Sequence, residues 1–421
     1  MIIQNKQLLW VYLLLSIGFY AGFIRFLGTL MGFGGAQGDF EGAAAGNLVN
    51  QLVALSLLLM SLFFLLKSAR LNIRQFLSQG WIWIALIGFF SLSLMWSATP
   101  FVSFRRIVGF STLVLVCFVL ANTFTAKSLF NVISNAIVAA VIFGFMYQVL
   151  SGQQIAFGLG DRDAGLRGIF QDKNAAARVY AYGLILFVGL QKYRTKTDIV
   201  GLSILVFALT VSQSASAIIL ATMGCGLVIL FRIFRSNNKH YNFRRLMLVF
   251  ILLAVATVIV SILYEYLLSL LGRDANLTDR TIIWELILPY IEDKPIFGYG
   301  FGSFWASGYV ADFVERWGFI GNAHSGYLEA MLNGGVIGFA LLVTLLVVFI
   351  KYALKNYVNG ENKYDCAELV LAMCAAQAVI NYIGFIVLNH NSFDMFIFSV
   401  AFFVAASALK KNTLRHDTYR P

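Results

Sequence analysis

The chain has four histidines. One of them, His324, lies in Gly321-Asn-Ala-His-Ser-Gly-Tyr-Leu-Glu-Ala-Met-Leu-Asn-Gly-Gly-Val-Ile-Gly338, where a polar stretch runs into a long apolar one. An imidazole with its ordinary pKa of about 6.5 accepts and returns a proton near neutrality, so a histidine at such a boundary can act as a general base or be a hydrogen-bonded structural residue. His240 and His416 fall in polar basic segments, and His390 stands between Asn389 and Asn391. Upstream of His324, Ile282, Ile283, Leu286, Ile287 and Tyr290 recur at helical spacing. They predict a short helix capped by Thr278 or Asp279, with Arg280 in its first turn, where unpaired backbone N–H groups also favour an anion. Pro295-Ile-Phe-Gly-Tyr-Gly-Phe-Gly-Ser-Phe-Trp305 then supplies three glycines with interleaved aromatics. That composition suits stacking against sugar rings and equally an interfacial aromatic belt.

The elements that must position these residues are membrane helices. Of 421 residues 60% are hydrophobic and 12% charged, with 4 prolines and a mean hydropathy of +0.80. This excludes a secreted disulfide scaffold, a soluble nucleotide-binding enzyme and an outer-membrane barrel with short alternating segments. The expectation is an all-α polytopic protein of about twelve spans forming one membrane domain over 1–421. The spans are near Leu8–Leu30, Leu48–Leu66, Trp81–Trp96, Ile107–Leu120, Val132–Leu150, Ala175–Leu190, Ile199–Val211, Ala217–Phe231, Leu246–Leu267, Tyr327–Ile350, Leu369–Leu388 and Met395–Leu409. Lys6 before the first run mimics a secretory signal, but the run is longer than a signal core, and the helix is expected to be retained. With cytoplasmic termini the inside segments hold 20 of the 31 basic residues, as the positive-inside rule requires, so the net charge of +11 marks topology and not nucleic acid.

Eleven basic residues break that rule: Arg25, Arg105, Arg106, Arg162, Arg167, Lys173, Arg178, Arg273, Arg280, Lys294 and Arg316. Most gather in two outer loops, 151–174 and 269–322, and collectively suggest an anion site, although any one of them can be solvated loop charge. The longer loop is too apolar for disorder and is expected to fold back onto the membrane surface. Cys117, Cys225, Cys366 and Cys374 have no CxxC spacing and read as packing residues, and no acidic cluster suggests a metal.

Taken as one pattern, Thr278-Asp-Arg-Thr-Ile-Ile-Trp284, Gly298-Tyr-Gly-Phe-Gly-Ser-Phe-Trp305 and Asn322-Ala-His-Ser-Gly-Tyr-Leu-Glu329 resemble the O-antigen ligase and polymerase family of bacterial membrane glycan transferases. The likeness is greatest to its exopolysaccharide polymerase branch, whose phenylalanine and lysine-asparagine motif is similar to Leu166-Arg-Gly-Ile-Phe-Gln-Asp-Lys-Asn174. Residues 1–150 match only in hydropathy. The resemblance implies a GT-C-like inner-membrane enzyme with its active site facing the periplasm, His324 as catalytic base and Arg280 as a ligand of the donor's diphosphate. Asn174, Trp305 and Tyr327 are further candidate substrate contacts. Glu329, about 140° around an ideal helix from His324, is poorly placed to orient the imidazole and stands as a minor substrate contact. The family's ligases carry an arginine at the turn where Ser212-Gln-Ser-Ala-Ser216 has Ala215. A second diphosphate contact must then come from Lys173, Arg167 or Arg178.

The implied reaction takes an undecaprenyl-diphosphate-linked oligosaccharide as donor and a glycan hydroxyl as acceptor, in membrane lipid, with a chain-length regulator as a possible partner. A single displacement inverts the anomeric centre. The ionised diphosphate leaves on fixed cations, so no carboxylate pair, metal or cofactor is demanded. A ligase acting on lipid A core differs only in its acceptor. A lipid or polysaccharide transporter would instead place ionisable residues near mid-bilayer, whereas here they sit at span ends.

Overall fold

The computed structural model describes residues 6–31, 48–68, 71–152, 165–170, 173–193, 195–236, 240–245, 247–248, 280–310, 321–359, 366–384 and 387–417. Most of the expected span Leu246–Leu267, the capping residues Thr278 and Asp279, and most of loop 151–174 lie outside them. No strand occurs among the described residues. In chain order the helices are α1 (Lys6–Tyr20), α2 (Phe23–Leu30), α3 (Leu48–Lys67), α4 (Ile73–Gln79), α5 (Trp81–Leu92), α6 (Pro100–Thr123) and α7 (Ala126–Leu150). They continue with α8 (Lys173–Gly189), α9 (Lys196–Ser212), α10 (Ala215–Phe234), α11 (Arg280–Asp293), α12 (Gly326–Asn359), α13 (Ala367–Ile380) and α14 (Phe393–Asp417).

Apolar patterning sorts these helices by depth. α14 is apolar on every side, and each residue from Phe393 to Ala408 is buried against α6, α12 and α13, as an all-round hydrophobic helix requires. α3 is the opposite case. It buries only Leu57, Ser61 and Phe64, an i, i+4, i+7 stripe, while Leu52, Leu55, Leu59 and Leu66 point outward. The Tyr12 hydroxyl lies 2.6 Å from that of Ser61, tying α1 to the stripe. α8 and α10 pack tightly, because Gly224 leaves room for Ile185, whose Cδ1 would stand 2.3 Å from a Cβ there.

The chain is a multi-pass membrane protein. Among the described residues five helices (α3, α6, α7, α10 and α12) are long and apolar enough to cross a membrane, or seven if each of two bent pairs is one span. One bent pair corrects the expectation of a continuous helix from Leu8 to Leu30. The chain breaks at Ala21–Gly22, where Gly22 has φ of 80°, and α2 leaves α1 at 72°. The other pair is α4 with the helix beginning at Trp81, bent by 86°.

α12 is interrupted as well, at Gly335 (φ 57°, ψ −155°). The groups freed by this break are taken up by the glycine and aromatic segment. Val336 N–H donates to Pro295 C=O (2.7 Å), and Tyr299 and Gly300 N–H donate to the carbonyls of Leu332 (2.8 Å) and Asn333 (3.1 Å). An apolar helix can break inside a membrane protein only where other groups resatisfy its backbone, and residues 295–300 do so here.

Candidate active site

A cavity of about 680 Å³ opens at one end of the bundle. Six elements supply its walls: the α1–α2 break, the end of α7, the segment 165–170 with the start of α8, the head of α10, the residues before α12, and the turn leading into α14. His324, Arg167, Asn174 and Arg178 all line it, so four of the expected site residues, drawn from distant parts of the sequence, meet in one place.

Each is set by local structure. His324 sits in the turn before α12 with a left-handed backbone (φ 49°), and its N–H donates to Asn322 Oδ1 at 2.9 Å. Arg167 is exposed on a turn gripped from α7 by Gln148, whose buried Oε1 accepts from the N–H groups of Arg167 (3.2 Å) and Gly168 (3.0 Å). Asn174 is exposed in the first turn of α8. One turn on, Arg178 donates from Nε to both carboxylate oxygens of Asp394, at 3.0 and 2.9 Å.

The other expected residues fall elsewhere. Trp305 is 3% exposed and turns its indole N–H to Glu329 (3.0 Å), so it offers no ring face to a sugar. Tyr299, Phe301 and Phe304 are buried too, and the aromatic run serves docking because its rings fill the space beside the α12 break. Glu329 is 2% exposed. Tyr327 donates its hydroxyl to Ala378 C=O (2.8 Å) outside the cavity lining. The Lys173 side chain runs beside Gly165 and is likewise absent from the lining. Arg280 opens α11, as expected, and its side chain lies outside the described residues.

The cavity is also lined by residues outside the candidate site set, although Arg25 was counted with the outer-face basic residues that suggest an anion site. Arg25, with Phe26 and Thr29, faces it from α2, and Asn389, Asn391 and Asp394 close it from the other side. The available signals were an isolated arginine three residues after Gly22 in an apolar run, and an isolated aspartate heading another. Among the described residues three arginines thus face the cavity against one lining carboxylate, Asp394, which neutralises Arg178. The Arg178 and Asp394 side chains are 17% and 5% exposed. Breaking so buried a pair costs about 3 kcal/mol or more, chiefly for the charge left behind. Asp394→Asn should therefore lower the thermal stability of the detergent-solubilised protein, and adding Arg178→Gln should recover part of the loss. A double variant no more stable than the single one would exclude uncompensated charge as the cause.

His390 turns away from the cavity edge against Gly109 and Phe301. Burial, and then the positive charges of Arg106, Arg25 and Arg105, push its pKa down to about 3. The unfolded chain, with an imidazole near 6.5, binds the proton first, so this residue's contribution is complete above about pH 6.5 and is lost as pH falls toward 3. Thermal midpoints in detergent should drop between pH 7.5 and 5, and His390→Gln should flatten that slope. An equally steep slope in the variant would assign the acid sensitivity to other groups.

Comparison with known proteins agrees with the geometry. The family model described as O-antigen ligase matches residues 200–343, which include the α9–α10 turn at the cavity, α11, the docked aromatic segment and His324. The exopolysaccharide production protein ExoQ of Rhizobium meliloti (strain 1021) is 23% identical over 309 residues, covering 69% of this chain and 69% of that protein. An uncharacterized protein of Haemophilus influenzae is 26% identical over 137 residues, 30% of this chain and 33% of its own length. With a polar, arginine-lined cavity at one end of a membrane bundle and these two kinds of match, the chain is similar, over the residues matched, to the O-antigen ligase and polymerase family of membrane glycan-processing enzymes.

Proposed function

We propose that the protein is an inverting glycosyltransferase that polymerises undecaprenyl-diphosphate-linked oligosaccharide repeat units at the periplasmic face of the bacterial inner membrane. The termini lie in the cytoplasm, and the 269–322 segment lies on the periplasmic side. The observation that carries this reading is the meeting of His324 with Arg25, Arg167 and Arg178 in one cavity. A base and a set of cations are the two requirements of a displacement in which a sugar hydroxyl attacks an anomeric carbon and a diphosphate departs.

In this reading His324 takes the proton of the acceptor hydroxyl as the new glycosidic bond forms. The bond from the anomeric carbon to the diphosphate breaks, and the diphosphate keeps the electron pair. Arg280 and Arg167 hold the developing charge, and Arg178, already bound to Asp394, supplies a neutralised and therefore rigid wall beside it. Asn174 hydrogen-bonds the glycan. The exopolysaccharide production relative favours chain extension. The description of the matching family favours a second reading, transfer of the glycan from the same carrier to lipid A core by a ligase.

The glycan profile of the host after deletion of the gene separates the two. A polymerase leaves single repeat units on the normal acceptor without long-chain material. Bare acceptor, with long glycan held on the lipid carrier, overturns polymerisation in favour of ligation, and an unchanged profile overturns both. Turnover should persist in EDTA, since the leaving group is already anionic; a strict divalent-cation requirement would contradict the charge assignment.

A further inference from the structure

Glu329 is a buried carboxylate with no part in the reaction proposed above, yet its contacts lead directly to His324. One oxygen, Oε2, accepts from the N–H of Ala323 (3.0 Å), the residue before His324, and from the Trp305 indole (3.0 Å). The other, Oε1, stands 3.4 Å from Asn333 Nδ2. Asn333 in turn accepts from Gly302 N–H through Oδ1 (2.8 Å), and Arg106 donates to the Gly302 carbonyl. A single acid therefore joins the turn that carries His324 to the aromatic segment docked in the α12 break.

The His324 turn needs such a clasp. A residue with a Cβ rarely keeps a positive φ unless its surroundings impose one, and His324 keeps φ of 49°. Three elements impose it. From α11, Trp284 Nε1 donates to Ala323 C=O (3.0 Å). From the end of α13, the carbonyls of Asn381 (2.7 Å) and Gly384 (3.1 Å) accept from Gly326 N–H. From α12, Glu329 holds Ala323 N–H, so the residue preceding His324 is gripped at both its N–H and its C=O. Of the three, Glu329 is the one that also binds the 295–306 segment through Trp305. Because its neighbours are N–H donors, an acceptor-only carboxylate fits where a carboxamide would turn an NH2 group toward one of them.

We propose that Glu329 is a positioning residue that holds His324 at the cavity by clamping the Ala323 peptide to the docked aromatic segment. The inference rests on the reading of His324 as the base. It differs from an orienting bond to the imidazole, since the carboxylate acts on the backbone one residue earlier.

The test uses the full-length protein in proteoliposomes, with turnover measured on a lipid-diphosphate-linked oligosaccharide from the native host. Glu329→Gln should lower kcat tenfold to hundredfold, leave KM within about twofold, and raise amide hydrogen exchange across residues 321–326 more than in α6 or α14. Trp284→Phe, which removes the other grip on Ala323 while keeping a ring, should lower kcat several-fold in the same manner and serves if Glu329→Gln does not accumulate. Wild-type kcat in either accumulating variant, or a rise in KM with kcat unchanged, overturns the positioning role. Full activity in His324→Ala instead removes the base on which the role depends, so failure of the two readings can be told apart.

Discussion

Replacing His324 by alanine should abolish glycan extension while leaving the protein in the membrane at its normal amount. The turn before α12 is held through main-chain groups of Ala323, His324 and Gly326, none of which the substitution removes. Alanine also keeps the Cβ, so the positive φ is no harder to maintain than before. What disappears is the group that accepts the acceptor's proton, and losing a positioned base costs about a hundredfold to ten-thousandfold in rate. Single repeat units on the acceptor, with long-chain glycan missing and immunoblots showing wild-type abundance, is the expected phenotype. A normal chain-length profile at normal abundance would return His324 to a structural role and leave the arginines of the cavity without a partner in catalysis.

Gly335→Ala should have the largest effect on the fold. Gly335 occupies a backbone region that essentially only glycine adopts, at an expected cost of about 1–3 kcal/mol for any other residue. A Cβ there would also lie 2.3 Å from the Ile296 carbonyl carbon, 2.4 Å from its oxygen and 2.6 Å from Phe297 N. These are backbone atoms, so no rotamer change relieves the collision. The 295–300 segment must withdraw, and with it go the bonds that cap the α12 break and the docking that places Trp305 against Glu329. Membrane abundance and activity should fall together. Gly88→Ala, in α5 with nothing within 4 Å of the added carbon, should leave both unchanged. Wild-type expression of Gly335→Ala would show that the docked segment is not needed to hold the break in α12.

The two variants divide the molecule into chemistry and scaffold, and the sequence was legible to different degrees in each. The all-helical membrane class followed from composition, because charge this scarce cannot be solvated except at helix ends. The short helix opening at Arg280 followed from apolar spacing, and α11 runs from Arg280 to Asp293. The convergence of His324, Arg167, Asn174 and Arg178 was anticipated only as a set of motifs, with no statement of distance.

Three features were not legible. The break after Tyr20 sits in a run whose hydropathy does not change, and a single glycine with φ of 80° decides it. The aromatic segment has the composition of a sugar platform, but the interrupted helix claims it because unsatisfied backbone groups in a dry interior need partners more than a substrate needs rings. Glu329 was judged by its angle around an ideal helix, whereas its real partner is a peptide N–H in the turn before that helix begins.

By itself, then, the sequence determined the solvent of this protein, the type of its elements and the residue types available at its mouth, since these follow from hydrophobicity and local spacing. Tertiary structure alone decided which arginines face the cavity, which one is neutralised by Asp394, and what holds His324 in place. Those properties depend on contacts between residues as far apart as Arg25 and Asp394, and hydrophobic patterning carries no information about such pairs.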